Sequence, residues 1–255
     1  MPVSQKWPKL VAEEYAYFTE NNICMNAEKF SKIFALDKPL ISDYPPCFFA
    51  GDIEKADFCL LGINPGFTEG RDQIERAIYN KLGWESTYLK FFEWFGKSRI
   101  ASPYYSRFAV FLAGMVGSDF PLNRNARFEL LSKHLVNVDL IPYHSSGIKL
   151  HIGSDERQAL IMPYLLTLCE LIRRCKPKGV FINGACFRSI LMEPPLIEGI
   201  QFTSQSTLKV NKKLNVHLGE FIGFKAIWFD RFLTGKSGVT NVELYEAGKK
   251  ISELL

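Results

Sequence analysis

Four short apolar runs divide the chain, and each is bounded by glycine, proline or charged residues. Runs of this length are too short for helices and match strands that are buried on both faces of a sheet. We therefore predict four strands, at residues 58–63, 135–141, 179–183 and 225–229.

Helical patterns of apolar residues lie between and around these runs, at residues 27–36, 104–115, 155–175 and 240–255. The last of them begins with Thr240 and Glu243, the spacing of a capping box. Strands that alternate with helices indicate an α/β fold with a parallel sheet covered on both faces. Ligands bind such sheets beyond the carboxyl ends of the strands. The loops that leave the four strands are therefore the places to look for chemistry.

Composition narrows the class of protein without identifying its function. The 255 residues are 47% hydrophobic, enough for one α/β domain, and the net charge of +4 permits nucleic-acid binding without requiring it. Six scattered cysteines and four histidines make a metal site improbable, and we expect reduced thiols and no cofactor. With no apolar leader and no run long enough to cross a membrane, we expect a cytoplasmic protein.

The turn after the first predicted strand is the most informative segment. The strand leads directly into Gly-Ile-Asn-Pro-Gly at residues 62–66. Gly62 and Gly66 allow close approach of a ligand, and Pro65 biases Asn64 toward an extended backbone. Asn64 thus places an amide with both donors and an acceptor at the mouth of the sheet. An ordinary chain-reversing turn would also explain this sequence.

An apolar strand that ends in Gly-Ile-Asn-Pro-Gly resembles the first active-site motif of the uracil-DNA glycosylase superfamily. The mismatch-specific and single-strand-selective branches are the most similar. Three further segments match in order, namely SPYYSRF at residues 102–108, LVNVDLIPYHS at 135–145 and KPKGVFINGACF at 176–187. The resemblance covers about residues 57–255 and leaves residues 1–50 without a counterpart.

The resemblance implies a fold and a set of roles. It implies a three-layer domain with a central four-stranded parallel sheet, in the order second, first, third and fourth strand, to which residues 1–50 add helices. Asn64 would position the attacking water and Asn137 would read the flipped base, so both should face one cleft. The implied pocket residues around them are Gly62, Ile63, Pro65, Gly66, Phe67, Tyr105 and Phe108.

The family's last motif, His-Pro-Ser or Asn-Pro-Ser, has no match in this chain. Asp230 stands at that place, and Phe232 or Leu233 would form the loop that wedges into the base stack. Arg231 and Lys236 would contact DNA phosphates. An ionised Asp230 would oppose departure of an anionic base, so His144 and His151 are alternative donors.

Three functions remain open at this stage. The first is a monofunctional DNA glycosylase, monomeric and without a cofactor, that acts on uracil or a related base in single-stranded or mismatched DNA. The second is a DNA-binding module with the same fold and little or no activity, which the altered last motif favours. The third is an unrelated α/β enzyme, although Gly-x-Ser-x-Gly and phosphate-loop patterns are absent from the sequence.

Overall fold

The structure is a computed structural model that describes residues 6–66, 70–98, 100–121, 123–145, 152–192, 194–211, 214–231, 233 and 238–254. It is a mixed α/β fold built on one seven-stranded sheet, with the strand order β1-β3-β2-β4-β7-β6-β5. The strands are β1 Phe49–Ala50, β2 Phe58–Gly62, β3 Leu135–Asp139, β4 Gly179–Asn183, β5 Phe202–Lys209, β6 Asn215–Phe221 and β7 Phe224–Phe229.

The four predicted strands form the centre of this sheet. β3, β2, β4 and β7 pair in parallel, which is the predicted order of second, first, third and fourth strand. The predicted four-stranded parallel sheet is nevertheless wrong as a whole. β1 joins one edge antiparallel to β3, and β6 and β5 extend the other edge antiparallel to β7. β1 is two residues long, β5 is largely polar and β6 mixes apolar with polar residues, so no continuous apolar run marks these three strands.

Nine α-helices are described around the sheet, with a 3-10 turn before the eighth. They are α1 Lys9–Asn21, α2 Ala27–Ile33, α3 Arg71–Leu89, α4 Phe91–Lys97, α5 Pro103–Met115, α6 Arg124–His134, α7 Asp155–Cys175, α8 Arg188–Leu191 and α9 Asn241–Ser252. The predicted capping box at Thr240 and Glu243 begins α9. α3 is kinked at Gly83, where φ is 73°.

Helices pack on both faces of the central strands. Phe108 and Phe111 of α5 meet Phe181 of β4 edge to face, at ring distances of 5.0 and 5.6 Å. Side chains alternate along a strand, so Cys59 of β2 points to the face of the sheet opposite to Phe181. Cys175 of α7 lies beside Cys59 on that face. β2, β3 and β4 are fully buried between these layers, so their carboxyl ends form a rigid platform for the loops that follow.

The N-terminal segment adds α1 and α2 to the α7 side of the sheet. Five of the six cysteines are described as free and buried, at Cys24, Cys47, Cys59, Cys169 and Cys175. Over the described ranges, no helix is both long enough and apolar enough to cross a bilayer.

Candidate functional site at the carboxyl ends of the central strands

The loops that follow β2 and β3 run side by side. The backbone N–H groups of Leu140 and Ile141 donate to the carbonyls of Gly62 and Ile63, at 2.9 and 2.8 Å. Gly66 then forms an isolated parallel bridge with Ser145. The two loops therefore extend the pairing of their strands, and the Gly-Ile-Asn-Pro-Gly turn is held by backbone bonds up to its last residue.

Asn64 joins the two loops through its side chain. Its Nδ2 atom donates to Ser145 Oγ at 2.8 Å, to the Tyr143 carbonyl at 3.0 Å and to the Pro65 carbonyl at 3.2 Å. These contacts fix the orientation of a half-buried amide and leave Oδ1 as the atom that can orient a water or substrate.

Asn137 and Asp139 lie on one face of β3, next to the first turn. Asn137 Nδ2 donates to Asp139 Oδ2 at 2.9 Å, and the two residues are 2% and 4% exposed. Asp139 Oδ1 fills the space beside Gly62, where an added Cβ would lie 2.0 Å from that oxygen. Gly62 is therefore needed for close approach of a carboxyl group rather than for an unusual backbone angle.

The carboxyl of Asp139 is the chemically unusual group of this site, and sequence reasoning missed it. Burial raises its pKa to about 7, although the Asn137 hydrogen bond and the charge of Arg71 act in the opposite direction. Tyr105 of α5 lies near enough for the Asp139 charge to add to burial in raising the pKa of the Tyr105 phenol. The structure thus brings Gly62, Asn137, Asp139 and Tyr105 together.

A buried ionic network contacts the last residue of the Gly-Ile-Asn-Pro-Gly turn. Arg71, the first residue of α3, donates to the Gly66 carbonyl at 2.9 Å and to Glu75 at 2.8 Å. Burial alone would raise the pKa of Glu75, but the charge and hydrogen bond of Arg71 hold it below its ordinary value. Burial also lowers the pKa of His144 to about 3, against the opposing effect of Glu75. His144, one of the alternative donors, is therefore a neutral imidazole and 1% exposed.

Asp230 and Leu233, which were expected to form the last motif, are not placed as that motif requires. Both carboxylate oxygens of Asp230 accept from Asn215, at 3.2 and 3.0 Å, which turns Asp230 toward β6. Leu233 is fully buried, and its N–H donates to Asn183 Oδ1. The expected DNA wedge at Leu233 is corrected accordingly, because a side chain in the core is not presented to DNA. Arg231 is exposed, as a phosphate contact requires.

Phe108 also departs from the expected pocket. It is fully buried against Phe111, Phe181 and Phe229, so it belongs to the core between α5 and the sheet. Its burial follows from its helical spacing to Phe111. The candidates Phe67, Phe232, Lys236 and His151 lie outside the described residues.

The topology independently marks the same end of the sheet. β2 and β4 are neighbours, but the chain leaves β2 toward β3 on one side and leaves β4 toward β5, β6 and β7 on the other. Loops that diverge in this way leave a crevice at the carboxyl ends of parallel strands, where α/β proteins bind ligands. The Asn64 loop lies at this point.

A second polar cluster lies at the other end of the central strands, where β2, β3 and β4 begin. Asp57 contacts His134 Nδ1 at 2.6 Å and Lys178 Nζ at 2.7 Å, beside a cavity of about 640 Å³ that Phe58 and Met115 also line. Its charges are already paired, which is typical of a structural ion cluster. Within the described part of the chain, no group of His, Cys, Asp or Glu residues is arranged to hold a metal ion.

Comparison with known proteins adds no assignment: no family model matches the chain, and no curated protein matches it.

Proposed function

We propose that this chain is a monofunctional DNA glycosylase that hydrolyses the N-glycosidic bond of uracil, or of a related damaged or mismatched base, after flipping the base out of the DNA. The observation that carries the proposal is the fixed amide of Asn64 above the carboxyl end of the central strand. An acceptor whose orientation is set before substrate binds can align a water for attack without reorganisation. The resemblance of residues 62–66 to the glycosylase motif agrees with this role.

The chemistry assigned to this site requires positioning rather than a cofactor. Asn64 Oδ1 would accept a hydrogen bond from the water and so direct a lone pair of the water oxygen at the sugar carbon. Flipping costs a few kcal/mol, least at mismatches and in single strands. Contacts to the flipped base in the pocket must recover that cost, and exposed cations such as Arg231 would bind the backbone phosphates.

A DNA-binding module that does not cleave is the second candidate, and the geometry of Asp230 favours it. The residue at the place of the family's final donor is a carboxylate whose two oxygens are bonded to Asn215. It cannot donate to a departing base in that state, and its charge opposes an anionic leaving group.

An abasic-site assay separates the two candidates. Oligonucleotides that carry uracil, hypoxanthine, xanthine or mismatched thymine are incubated with the protein, as single strands and as duplexes, and abasic products are cleaved with alkali. We expect excision by the wild type and a loss of turnover of about 100-fold or more in Asn64→Ala. DNA affinity should change by less than about threefold, because the positioned water acts in the chemical step.

Asn21→Ala is the matched control, because Asn21 is an exposed asparagine of α1 whose amide also bonds a backbone carbonyl. It should excise at the wild-type rate. Base-dependent binding by the wild type without excision of any tested base would favour the non-cleaving module. Excision that persists in Asn64→Ala would refute the role given to Asn64.

A further inference from the structure

The Asn137–Asp139 pair contains a buried amide oxygen that accepts no hydrogen bond and a carboxyl with one side-chain donor. Asn137 Oδ1 has no hydrogen-bond partner in the described part of the chain. Asn137 Nδ2 is the one side-chain donor to the Asp139 carboxyl among the described residues, and it binds Oδ2. Buried polar groups are nearly always hydrogen-bonded, and an exception calls for a ligand, a water or a catalytic role.

The hydrogen bond between the two side chains determines which of their other atoms can donate and which can accept. Because Asn137 Nδ2 donates to Asp139 Oδ2, Asn137 Oδ1 remains an acceptor, and a proton on the carboxyl belongs on Asp139 Oδ1. The neutral pair therefore offers one donor and one acceptor. It lies beside Gly62, at the root of the loop that carries Asn64.

We propose that Asp139 and Asn137 together read the flipped base, with the neutral carboxyl of Asp139 donating to a base carbonyl and Asn137 Oδ1 accepting from the neighbouring ring N–H. This inference rests on the proposed glycosylase function, and it names the substrate class. The pair complements an edge that carries an acceptor beside a donor, as the edges of uracil, thymine and hypoxanthine do. Asp139 thereby becomes a specificity-determining residue.

The proposal makes base recognition sensitive to pH. An ionised Asp139 can only accept, so it repels the carbonyl that its neutral form binds. The described groups that interact electrostatically with it are Arg71 from α3, Tyr105 from α5, Cys59 from β2 and Cys47 from the segment before β1. Arg71 favours the ionised form, but it already forms an ion pair with Glu75. Burial dominates and keeps the proton on Asp139 up to about pH 7.

The test measures how much the base adds to DNA affinity. Fluorescence anisotropy gives the dissociation constants of two single-stranded oligonucleotides that differ at one site. One carries 2′-fluoro-2′-deoxyuridine, which holds uracil on a bond that resists hydrolysis, and the other carries a tetrahydrofuran abasic analogue. For the wild type, the ratio of the two constants should favour uracil and should fall about tenfold between about pH 5.5 and about pH 8.5.

Asp139→Asn should keep its uracil preference across that range, since a carboxamide has the shape of a neutral carboxyl and a donor that does not titrate. Asp119→Asn, an exposed position that removes the same charge, should follow the wild type. A wild-type ratio that is near one or independent of pH would overturn the proposal, as would the same inflection in Asp139→Asn.

The excision assay keeps this inference distinct from the proposed function. Excision of uracil with a pH-independent binding ratio would leave the glycosylase in place and remove Asp139 as the reader. A pH-dependent ratio without excision would support Asp139 as the reader and refute cleavage.

Discussion

Tyr143 links Glu14 of the N-terminal helix to the candidate site, because its hydroxyl donates to the buried Glu14 carboxylate. Its backbone carbonyl accepts from Asn64 at 3.0 Å, so one residue joins α1 to the Gly-Ile-Asn-Pro-Gly turn. Tyr164 and Asn26 also donate to Glu14, at 2.8 and 3.2 Å. The N-terminal helices thus brace the loop after β3.

Replacing Tyr143 by Phe tests this brace. The change removes one hydroxyl and leaves a buried carboxylate with one donor fewer, so the free energy of unfolding should fall by about 1–3 kcal/mol. Urea denaturation measures the loss. Tyr17→Phe, which removes a hydroxyl from a half-buried tyrosine of the same helix as Glu14, should change it by less than about 0.5 kcal/mol. Equal losses in the two variants would show that the Glu14 contact does not stabilise the fold.

The two glycines of the turn should respond differently to alanine. A Cβ on Gly62 would lie 2.0 Å from Asp139 Oδ1 and must displace a buried carboxyl, at a cost of about 1–3 kcal/mol. A Cβ on Gly66 would meet nothing within 4 Å, and its φ is not positive, so Gly66→Ala should change stability by less than about 0.5 kcal/mol. Thermal and urea unfolding of both variants would check this. An equally small loss of stability in both variants would mean that the Asp139 carboxyl moves away from the added Cβ at little cost.

The sequence was informative where local pattern determines structure. Short apolar runs predicted the four central strands, and Pro65 with its flanking glycines marked the turn at the end of the first. β5 escaped prediction because most of its side chains are exposed and polar. Its place in the sheet depends on pairing with β6, which is a tertiary contact.

Site residues were harder to predict because their roles depend on what surrounds them. Asp139 is one charged residue in an apolar run, and nothing local shows that it lies beside Gly62 with a raised pKa. The family resemblance implied an exposed wedge at Leu233, whereas the fold buries Leu233 and its N–H donates to Asn183. Glu14 is one of many glutamates, and its two tyrosine partners, Tyr143 and Tyr164, are more than a hundred residues away in the chain.

Alanine substitutions at Leu233 and Arg231 should affect different properties, namely stability at Leu233 and DNA binding at Arg231. Leu233→Ala opens a cavity in the core and should lower the free energy of unfolding by about 2–5 kcal/mol. Arg231→Ala changes an exposed cation and should leave stability within about 0.5 kcal/mol while reducing the salt dependence of DNA affinity by about one ion. Urea unfolding and binding titrations at several salt concentrations measure the two effects. If Leu233→Ala weakened DNA binding without loss of stability, the expected wedge role would be restored.

The pKa of Asp139 predicts how stability depends on pH, whatever the function. Burial raises this pKa to about 7, whereas an aspartate in the unfolded chain titrates near about 3.9. Between these values the folded state binds more protons than the unfolded state, so stability falls as pH rises, by up to about 1.4 kcal/mol per pH unit, and levels off above the folded pKa. Histidines also titrate near this range, but their contribution cancels when two variants are compared at each pH.

Asp139→Asn removes the titrating group and retains its shape. From about pH 5 to about pH 7.5, the wild type should therefore lose roughly 2–3 kcal/mol of unfolding free energy relative to Asp139→Asn. Urea unfolding at both pH values gives this difference, and Asp119→Asn should follow the wild type because residue 119 is exposed. A difference between wild type and Asp139→Asn that stays constant with pH would mean that Asp139 titrates at its ordinary value in the folded protein. In that case it would be ionised beside Asn137 at neutral pH and could not donate to a base carbonyl.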